Sequence, residues 1–415
     1  MEENQAHIPE GWQKHRIIEV CDILDNMRKP LNKMQRENMK GEIPYYGANN
    51  IQDYINDFIF NEPLILIAED GGNFAEYETR PIAQNINGKS WVNNHTHVLR
   101  VKPNYSHDYI FYNVVNKNIL EYIKGGTRAK LNKKELQEIS LILPESKAEQ
   151  TQIANVLSKA DEAISHNEQL IAKYTRIKTG LMQDLLTKGI DDNGNIRSEE
   201  THEFKDSPLG RIPKEWNWLT LGQLADFKSG YAFRFEQLTE FGIKIVRISN
   251  LHKADFPYWH YDGPVKDNWI AVDGDILFTW AGVATSIDCI KYKGEKVLLN
   301  QHIYNFKFDN DLIKELTYRY LLFFLPKLRL EIEGGAGQLH LTKDKIKSIV
   351  IPEIHPNEME LIVKRLIKID SVIEDMVTEL RKLTSLKSGL MQDLLKGKVR
   401  VNNLSLKKQQ AYDIK

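Results

Sequence analysis

The chain has few of the residues that mark disulfide-bonded or metal-binding proteins. Among its 415 residues there are two cysteines, Cys21 and Cys289, which stand far apart and form no CxxC pair. A disulfide framework and a cysteine-ligated zinc site are therefore not indicated. His95 and His97 form an HxH pair, but no third ligand follows at the spacing of a metal site, so we predict no bound metal.

Long apolar runs and an excess of one charge are missing as well. The longest strongly apolar run is 321–325, whereas a membrane helix needs about 20 apolar residues. The N-terminal MEENQAHIPEGW has no basic stretch before an apolar core, so we predict no signal peptide. The net charge is −1, so any binding of nucleic acid must come from local basic patches. We predict a soluble, cytoplasmic protein that does not bind membranes.

Catalytic signatures are also absent from the sequence. There is no Asn/Asp-Pro-Pro-Tyr/Phe tetrapeptide, and no glycine-rich loop of the kind that binds a methyltransferase cofactor. Gly88-Lys89-Ser90 resembles the end of a phosphate-binding loop, but Ala83 stands where that motif needs its first glycine. The sequence therefore predicts a binding or scaffolding protein that is not an enzyme and holds no cofactor.

What the chain does contain is a repeat. The hexapeptide LMQDLL occurs at 181–186 and again at 390–395, an offset of 209 residues. Between 149–187 and 358–396 the same offset gives 16 identical pairs out of 39. The sequence is an internal duplication.

Both copies carry apolar residues at alternating steps of three and four. This spacing over five heptads is typical of a coiled-coil seam, because it keeps one apolar stripe on one face of a helix. The alternative is two ordinary amphipathic helices, each in its own core, but such helices average about 11 residues. We therefore predict two rods that pair with each other. The seam residues are Ile153, Leu157, Ala160, Ile164, Asn167, Ile171, Tyr174, Lys178, Leu181 and Leu185, and their counterparts 209 residues later.

Polar residues interrupt these seams at Asn167 in the first copy and at the equivalent Lys178 and Lys387. Polar seam residues commonly fix the register of a coiled coil. Long lysine side chains near the end of a rod can instead extend into water. We favour the second role for both lysines.

The segments before the long helices predict mixed α/β domains. Short runs rich in β-branched and aromatic residues, bounded by Gly, Pro, Asn and Asp, are typical of strands. Each half opens with Ile-Pro-x-x-Trp and closes with a helical stretch, a glycine pair, a β-like run and the long helix. The strand candidates are 63–68, 91–101, 243–249 and 275–281, and the helical stretches are 108–124 and 316–333.

These features divide the chain into six segments. Composition predicts a polar linker between the halves and a frayed basic tail. The boundaries are 1–147 for the first globular domain, 148–188 for its helix, 189–206 for the linker, 207–355 for the second domain, 356–397 for its helix and 398–415 for the tail.

Two divergent globular repeats alternate with two near-identical long helices, with LMQDLL near each helix end and an IPxxW opening in each repeat. This pattern resembles the specificity subunit of type I restriction-modification systems, and the resemblance covers essentially the whole chain. It implies two similar target-recognition domains, each of which reads one half of a bipartite double-stranded DNA site. It also implies a pair of long antiparallel coiled-coil helices between them, related by a pseudo-twofold axis.

The resemblance implies partners too. In this family the paired helices set the distance between the half-sites and dock two copies of the modification methyltransferase. The restriction and translocase subunits join that complex. S-adenosylmethionine, ATP and magnesium would belong to those partners, in agreement with the missing motifs in this chain.

Residues that read DNA are expected on loops that enter the major groove, where Arg, Lys, Asn, Gln and His supply donors and acceptors. The alternative roles are helix C-caps for the glycine pairs, turn formers for the asparagines and a solvated loop for the basic cluster. In the first half we predict base contacts from Asn49, Asn50, Asp70, Gly71, Gly72, Asn93, His95, Thr127, Arg128 and Lys130, and phosphate contacts from Arg28, Lys29, Lys33, Arg36 and Lys40. In the second half, repeat correspondence predicts Arg247, Ser249, Asn250, Trp280, Gly282, Asn300, His302, Gln338 and His340.

The identical hexapeptides need a further reason, because a coiled-coil seam tolerates many apolar residues. We interpret them as surfaces that meet the same partner twice, once for each methyltransferase copy. The predicted contacts are Leu181, Met182, Leu185, Leu390, Met391 and Leu394.

Two other functions fit parts of the sequence. One is a structural coiled-coil protein whose globular domains bind proteins or small molecules. The other is a fused restriction-methylase, which would need catalytic motifs that the sequence lacks and usually a much longer chain. Recovery of two methyltransferase chains with the protein would separate the first alternative from a specificity subunit.

Overall fold

The computed structural model describes residues 8–125, 129–253, 255–332 and 339–401. The chain forms two compact units, of which the first comprises 1–169 and 378–415 and the second comprises 170–377. Each unit therefore consists of one globular domain and parts of both long helices. No helix in the described ranges is both long and apolar enough to cross a membrane.

The globular domain of the first unit contains two four-stranded sheets. Strand β6 lies inside one of them, and its sequence LILIA is buried at every position, as expected for a strand that is covered on both faces. The strands are β1 (Trp12–Arg16), β2 (Cys21–Ile23), β3 (Lys40–Tyr46), β4 (Ile51–Ile55), β5 (Phe60–Asn61), β6 (Leu64–Ala68), β7 (Ala83–Ile86), β8 (Lys89–Val92), β9 (Thr96–Val101) and β10 (Ser140–Pro144). The helices are α1 (Ile17–Val20), α2 (Lys33–Asn38), α3 (His107–Val115) and α4 (Lys133–Glu138), followed by the long helix α5 (Lys147–Thr187).

The second unit repeats this design with small additions. A hairpin precedes the domain, and a two-residue pair, β19 with β23, is added beside the sheets. The strands are β11 (Phe204–Ser207), β12 (Gly210–Pro213), β13 (Asn217–Thr220), β14 (Asp226–Ser229), β15 (Ile243–Val246), β16 (Trp259–Tyr261), β17 (Ile270–Ala271), β18 (Ile276–Thr279), β19 (Ala281–Gly282), β20 (Asp288–Lys291), β21 (Val297–Leu299), β22 (Ile303–Lys307), β23 (Leu339–His340) and β24 (Val350–Glu353). The helices are α6 (Leu221–Leu224), α7 (Ile248–His252), α8 (Asp311–Ile332), α9 (Lys343–Lys347) and the long helix α10 (Pro356–Leu394).

The sheets of the two units correspond strand by strand. The order β2-β9-β6-β7 matches β14-β22-β18-β20, and β4-β3-β8-β5 matches β16-β15-β21-β17. Each second sheet contains one parallel pair, β3 with β8 and β15 with β21, in the same place. The mixed α/β class and the internal repeat are therefore confirmed.

Both long helices have the predicted extent. Helix α5 has 41 residues and α10 has 39. In the first unit Asp161 of α5 lies 2.5 Å from Lys387 of α10, and in the second unit Lys178 of α5 lies 2.5 Å from Asp370 of α10. Within the first unit, Glu149 and Asp161 pair with Arg400 and Lys387 respectively. Within the second unit, Lys178 and Arg197 pair with Asp370 and Glu358. In both units the later residue has the earlier partner, so the segments pair antiparallel.

These ion pairs correct one prediction. We expected Lys178 and Lys387 to extend into solvent, but their side chains are only 29% and 23% exposed, and each binds an aspartate of the other helix. The lysines are therefore part of the helix pairing.

Local polar groups account for three further differences. The helix predicted at 108–124 ends at Val115, and after it the Asn118 side chain accepts a hydrogen bond from the Leu120 amide, which competes with the helix. The strand predicted at 91–101 is divided in two, because the Asn93 side chain accepts the His95 amide and makes a turn. The strand predicted at 243–249 ends at Val246, because the Asn250 side chain accepts a hydrogen bond from the Arg247 amide at the start of α7.

The predicted linker and the start of the predicted tail are packed against the long helices. Arg197, in the linker, pairs with Glu358 of α10. Arg400, in the tail, pairs with Glu149 of α5, and the neighbouring Val401 is only 3% exposed. Each arginine follows a long helix and a glycine with positive φ, at Gly189 and Gly397, so the chain turns back at both helix ends. The segment 402–415 lies outside the described residues.

Candidate nucleic-acid interface

Four separate candidate loops of the first unit come together beside β6 and β8. We call Gly47–Asn50, Glu69–Gly72, Asn93–His95 and Lys130 the first corner. Its base is built from main-chain bonds: the Asn93 amide donates to Tyr46 at 3.1 Å, the Glu69 amide donates to His95 at 2.8 Å, and the Leu131 amide donates to Glu69 at 2.8 Å. The loops therefore form one surface although up to 83 positions separate them in sequence.

Side chains then fix the shape of the first corner. The Asn93 side chain is 4% exposed, and it accepts a hydrogen bond from the His95 amide at 2.9 Å. The His95 ring, 47% exposed, lies 3.0 Å from Asp70. The Asn49 side chain donates to the carbonyl of Gly71 at 2.8 Å, and Gly71 has a φ of +65°, which favours glycine. Asn93 is thus a positioning residue, while His95 faces outward.

A charge network lies beneath this surface. Glu69 accepts from Arg28 at 2.8 Å and pairs with Lys130 at 3.1 Å. Burial raises the pKa of Glu69, but the hydrogen bonds from Arg28 and Lys130 outweigh it, so the pKa lies below its usual value. Arg28 also donates to the carbonyl of Thr96 at 2.9 Å and is 13% exposed. Arg28, a predicted phosphate ligand, therefore stabilises the first corner through its bonds to Glu69 and Thr96.

The other members of the predicted basic cluster differ in availability. Arg36 and Lys40 both pair with Asp53, at 3.2 Å and 2.6 Å. Lys29 is exposed, and Lys33 is 84% exposed. Among the remaining first-half candidates, Asn50 is exposed, and its carbonyl accepts a hydrogen bond from the Gly47 amide. Gly72 packs against Ala68 and Phe74. Thr127 and Arg128 lie outside the described residues.

An equivalent surface exists in the second unit. We call Ala281–Gly282, Asn300–His302 with Trp280, and the backbone of His340 the second corner. The Asn300 amide donates to Val246 at 3.0 Å, the Trp280 amide donates to His302 at 3.3 Å, and the Leu341 amide donates to Trp280 at 3.0 Å. These three bonds match the three main-chain bonds of the first corner one for one.

The correspondence extends to the Asn-x-His turn. The Asn300 side chain accepts from the His302 amide at 3.5 Å, as Asn93 does from His95. The His302 ring packs against Trp280 with 5.2 Å between ring centroids. Gly282 has a φ of +116°, the same handedness as its counterpart Gly71. The repeat correspondence used for prediction therefore matches residues in equivalent backbone positions.

Three other second-half candidates lie beside this corner with structural contacts. The Arg247 guanidinium lies 3.9 Å from the centre of the Trp259 ring and donates to the carbonyl of Pro257 at 2.5 Å. Burial lowers the pKa of Arg247. Asn250 is 7% exposed, and its side chain accepts a hydrogen bond from the Arg247 amide at 3.1 Å. Ser249 is half-buried. Gln338 lies outside the described residues.

Two supporting residues were missed by the sequence reasoning. The side chain of Asn93 donates to Gln52 at 3.1 Å, and Gln84 donates to the carbonyls of Gly47 and Ala48 at 3.1 Å and 3.3 Å. Both glutamines stand in ordinary strand sequences, so no local signal marks them. Only the sheet pairing brings them to the corner.

His97, the second residue of the HxH pair, lies inside the first unit. Its side chain is 1% exposed, with Nδ1 2.7 Å from Asp25 and Nε2 2.8 Å from the Leu131 carbonyl. Burial raises the pKa of Asp25, but the hydrogen bond with His97 is among the contacts that bring it below its usual value. The buried His97 ring therefore links Asp25 to the Leu131 main chain, and the described residues contain no cluster of three metal-ligating side chains.

The hexapeptide residues predicted to bind a partner lie in or against the domain cores. Met182 and Leu185 are 9% and 0% exposed in the core of the second unit, and Leu394 is 2% exposed in the core of the first. Leu181, Leu390 and Met391 pack against the same cores. This burial gives the hexapeptides a reason for their identity, because each closes the same junction between a long helix and a domain. Their role in partner binding stays a prediction.

Comparison with known proteins agrees with the duplicated design. The family model described as "Type I restriction modification DNA specificity domain" matches residues 9–176 and 213–385. The Type I restriction enzyme MjaVIII specificity subunit of Methanocaldococcus jannaschii is 27% identical over 96% of this chain and 95% of its own. A putative type I specificity subunit of Haemophilus influenzae is 40% identical, over 34% of this chain and 35% of its own.

Solved structures show the same fold. The S subunit of a type I restriction-modification system from M. genitalium superposes with a TM-score of 0.62 at 15% identity, covering 95% of this chain and 98% of that one. A chain from another type I restriction-modification system gives a TM-score of 0.53 at 16% identity, covering 95% and 100%. With two matched domains over most of its length, this chain belongs to the family of type I restriction-modification DNA specificity subunits.

Proposed function

We propose that each corner reads one half of a bipartite DNA site, and that the chain itself catalyses no reaction. The observation that carries this proposal is the Asn-x-His turn, which occurs in the same backbone setting in both units. In each turn the asparagine side chain accepts a hydrogen bond from the histidine amide, and glycine-containing loops lie beside the histidine ring. A histidine fixed in this way can form hydrogen bonds with base edges in the major groove. In this proposal the domains keep the predicted boundaries 1–147 and 207–355.

The exposed lysines of the first unit complete the DNA contact. Lys29 and Lys33 are exposed members of the basic cluster, and Lys33 makes only a surface ion pair with Glu37 at 3.9 Å. Phosphate contacts made by such lysines position a protein on DNA without reading its sequence. Asp70, His95 and Lys130, with Trp280 and His302 in the second unit, would supply the sequence-dependent contacts.

Methylation mapping tests the reading of two half-sites. The chain is co-expressed with its cognate methyltransferase, and modified adenines are mapped in the host genome. We expect one split motif, with the two parts separated by a gap of fixed length. Modification that follows a single continuous motif, or no motif, would reject the proposal.

The docking of two methyltransferases is the second part of the proposal. Both long helices present the same outward face, which contains Ile177, Gly180 and Gln183 in α5 and Leu386, Gly389 and Gln392 in α10. A helical glycine weakens a helix by about 1 kcal/mol relative to alanine. A side chain at Gly180 or Gly389 would meet open space. Since the chain's own packing does not require these glycines, we assign them to the close approach of a partner.

Stoichiometry tests this assignment. Gly180→Arg and Gly389→Arg are each expected to remove one of two bound methyltransferases, and the double variant both, as measured by native mass spectrometry. The exposed Glu162→Arg, on the same helix as Gly180, serves as the matched control. Two methyltransferases bound to the double variant would refute the assigned face.

A further inference from the structure

The ion pairs between the long helices form a reciprocal set. Asp161 and Asp370 are 209 residues apart, as are Lys178 and Lys387. In the first unit Asp161 of α5 pairs with Lys387 of α10, and in the second unit Lys178 of α5 pairs with Asp370 of α10. The aspartate of each helix thus lies in one unit and its lysine lies in the other.

Neighbouring side chains hold both aspartates in place. The hydroxyl of Tyr112 donates to Asp161 at 2.7 Å in the first unit. In the second unit Arg319 donates to Asp370. The side chains of Asp161 and Asp370 are 39% and 24% exposed, so both pairs are partly shielded from water.

The apolar seam alone does not define one register. Because its pattern repeats every seven residues, a slip of one heptad would again place apolar residues opposite apolar residues. After such a slip Asp161 would face Leu380 or Leu394 in place of Lys387. Asp370 would likewise face Ile171 or Leu185, which offer no donor.

The helix ends repeat the same arrangement. Glu149 of α5 and Glu358 of α10, also 209 residues apart, stand in the first turns of the two helices. Arg400 bonds Glu149 at 2.6 Å, and Arg197 bonds Glu358 at 2.5 Å. Every unit therefore has one ion pair within the seam and one at the helix start, and only one register satisfies all four.

We infer that these ion pairs select the register of α5 against α10 and thereby the gap length of the DNA site. The inference rests on the proposed reading of two half-sites. A heptad slip moves one helix along the other by about 10 Å, at about 1.5 Å per residue, which corresponds to about three base pairs at about 3.4 Å each. Asp161, Lys178, Asp370 and Lys387 are positioning residues that do not touch DNA.

Three variants test the inference in the complex with the cognate methyltransferase. Asp161→Lys with Asp370→Lys opposes like charges, and Lys178→Met with Lys387→Met makes the seam uniformly apolar. The exchange Asp161→Lys with Lys387→Asp restores opposite charges in the first unit and leaves Asp370 bound to Arg319 in the second. Methylation rates are measured on DNA duplexes that carry the mapped half-sites with gaps from four base pairs shorter to four longer than native, ranges chosen to exceed the ~3 base pairs of a heptad slip.

The two disruptive variants should lose about tenfold in preference for the native gap, a loss equal to about 1.4 kcal/mol. The exchange variant should return to within about twofold of the wild-type profile, as expected for a coupled pair. Glu162→Lys with Asp375→Lys is the matched control, since it reverses two exposed carboxylates on the same helices.

The outcomes separate the inference from the proposed function. A wild-type complex that methylates no bipartite site would reject the proposed function itself. A wild-type complex with a defined gap, together with an apolar-seam variant that keeps that profile, would overturn the register inference. An exchange variant that is folded by circular dichroism but does not regain the native gap would overturn it as well. If the like-charge variant does not fold, the apolar-seam and exchange variants decide the result.

Discussion

The two corners share a backbone but differ in side-chain chemistry. The position held by Glu69 in the first corner is held by Trp280 in the second, and Asp70 is matched by Ala281. The Asn-x-His turn is kept in both. In the proposed function side chains of the corners read base edges, so change at these positions after duplication would give one fold two recognition chemistries. A protein that recognises two different half-sites requires this combination of a shared backbone and different side chains.

The helix-start ion pairs show a second difference between the units. Glu358 accepts hydrogen bonds from Arg197, from the Trp216 indole at 3.1 Å and from the Ile190 amide at 2.9 Å. Glu149 is 4% exposed, and among the described residues Arg400 is the cation paired with it. The first unit therefore depends on a single arginine where the second has three donors.

Removal of each arginine should have unequal effects. Arg400→Met leaves a buried carboxylate without its charged partner, and we expect a loss of about 3 kcal/mol or more in the free energy of unfolding. Arg197→Met leaves two donors on Glu358, so we expect a loss of about 1–2 kcal/mol. Urea unfolding of both variants provides the measurement, with the exposed Arg381→Met as control. Equal losses in the free energy of unfolding for the two variants would contradict the expected difference between the two ion pairs.

The two hexapeptide methionines should also differ. Met182 is buried in the core of the second unit, whereas Met391 is only partly buried against the core of the first. A glutamate at position 182 would bury a charge without a partner, so Met182→Glu should destabilise the chain by about 2–4 kcal/mol. Met391→Glu should cost clearly less, as measured by thermal unfolding. A folded Met182→Glu variant of native stability that no longer binds methyltransferase would instead support the predicted partner role.

Substitution of the corner histidines should relax one half-site at a time. His95→Ala is expected to lower discrimination in the half-site of the first unit by about 1–3 kcal/mol and leave the other unchanged, and His302→Ala should do the reverse. Methylation of duplexes substituted at single base pairs measures both effects. Loss of preference in both half-sites from one substitution would contradict independent reading by the two units.

Acid should weaken the first corner through Glu69. The pKa of this carboxylate in the folded protein lies below its usual value. Its stabilising effect is therefore fully present above the ordinary glutamate pKa of about 4.3, and it is lost as the pH falls through the lower pKa of the folded protein. Glu69→Gln should reduce the fall in melting temperature between about pH 5 and pH 3. The exposed Glu42→Gln is the control. An unchanged pH profile in Glu69→Gln would show that the network does not contribute.

The fold class could be predicted because its signals are local or repeated. The 209-residue offset identified the duplication, and the three-and-four spacing identified the long helices without knowledge of their contacts. Candidate DNA-contact loops were found from their Gly, Asn and His residues. Their assembly into one corner was not predictable in detail, since Gln52 and Gln84 reach it only through strand pairing. The role of Arg28 was missed for the same reason, because its partner Glu69 is 41 residues away.

The sequence by itself determined the duplication, the length of both helices and the face of each helix that is apolar, because periodicity depends only on neighbouring residues. The tertiary structure decided which polar groups meet across that face. The local sequence does not distinguish Lys178 and Lys387 from solvent-exposed lysines, and their aspartate partners are 192 and 226 residues away. Likewise, LMQDLL is apolar enough for a surface seam or for a core, and only the packing of each domain against the end of the other half's long helix makes Leu185 and Leu394 interior. Burial and pairing are properties of distant segments brought together, so no local pattern contains them.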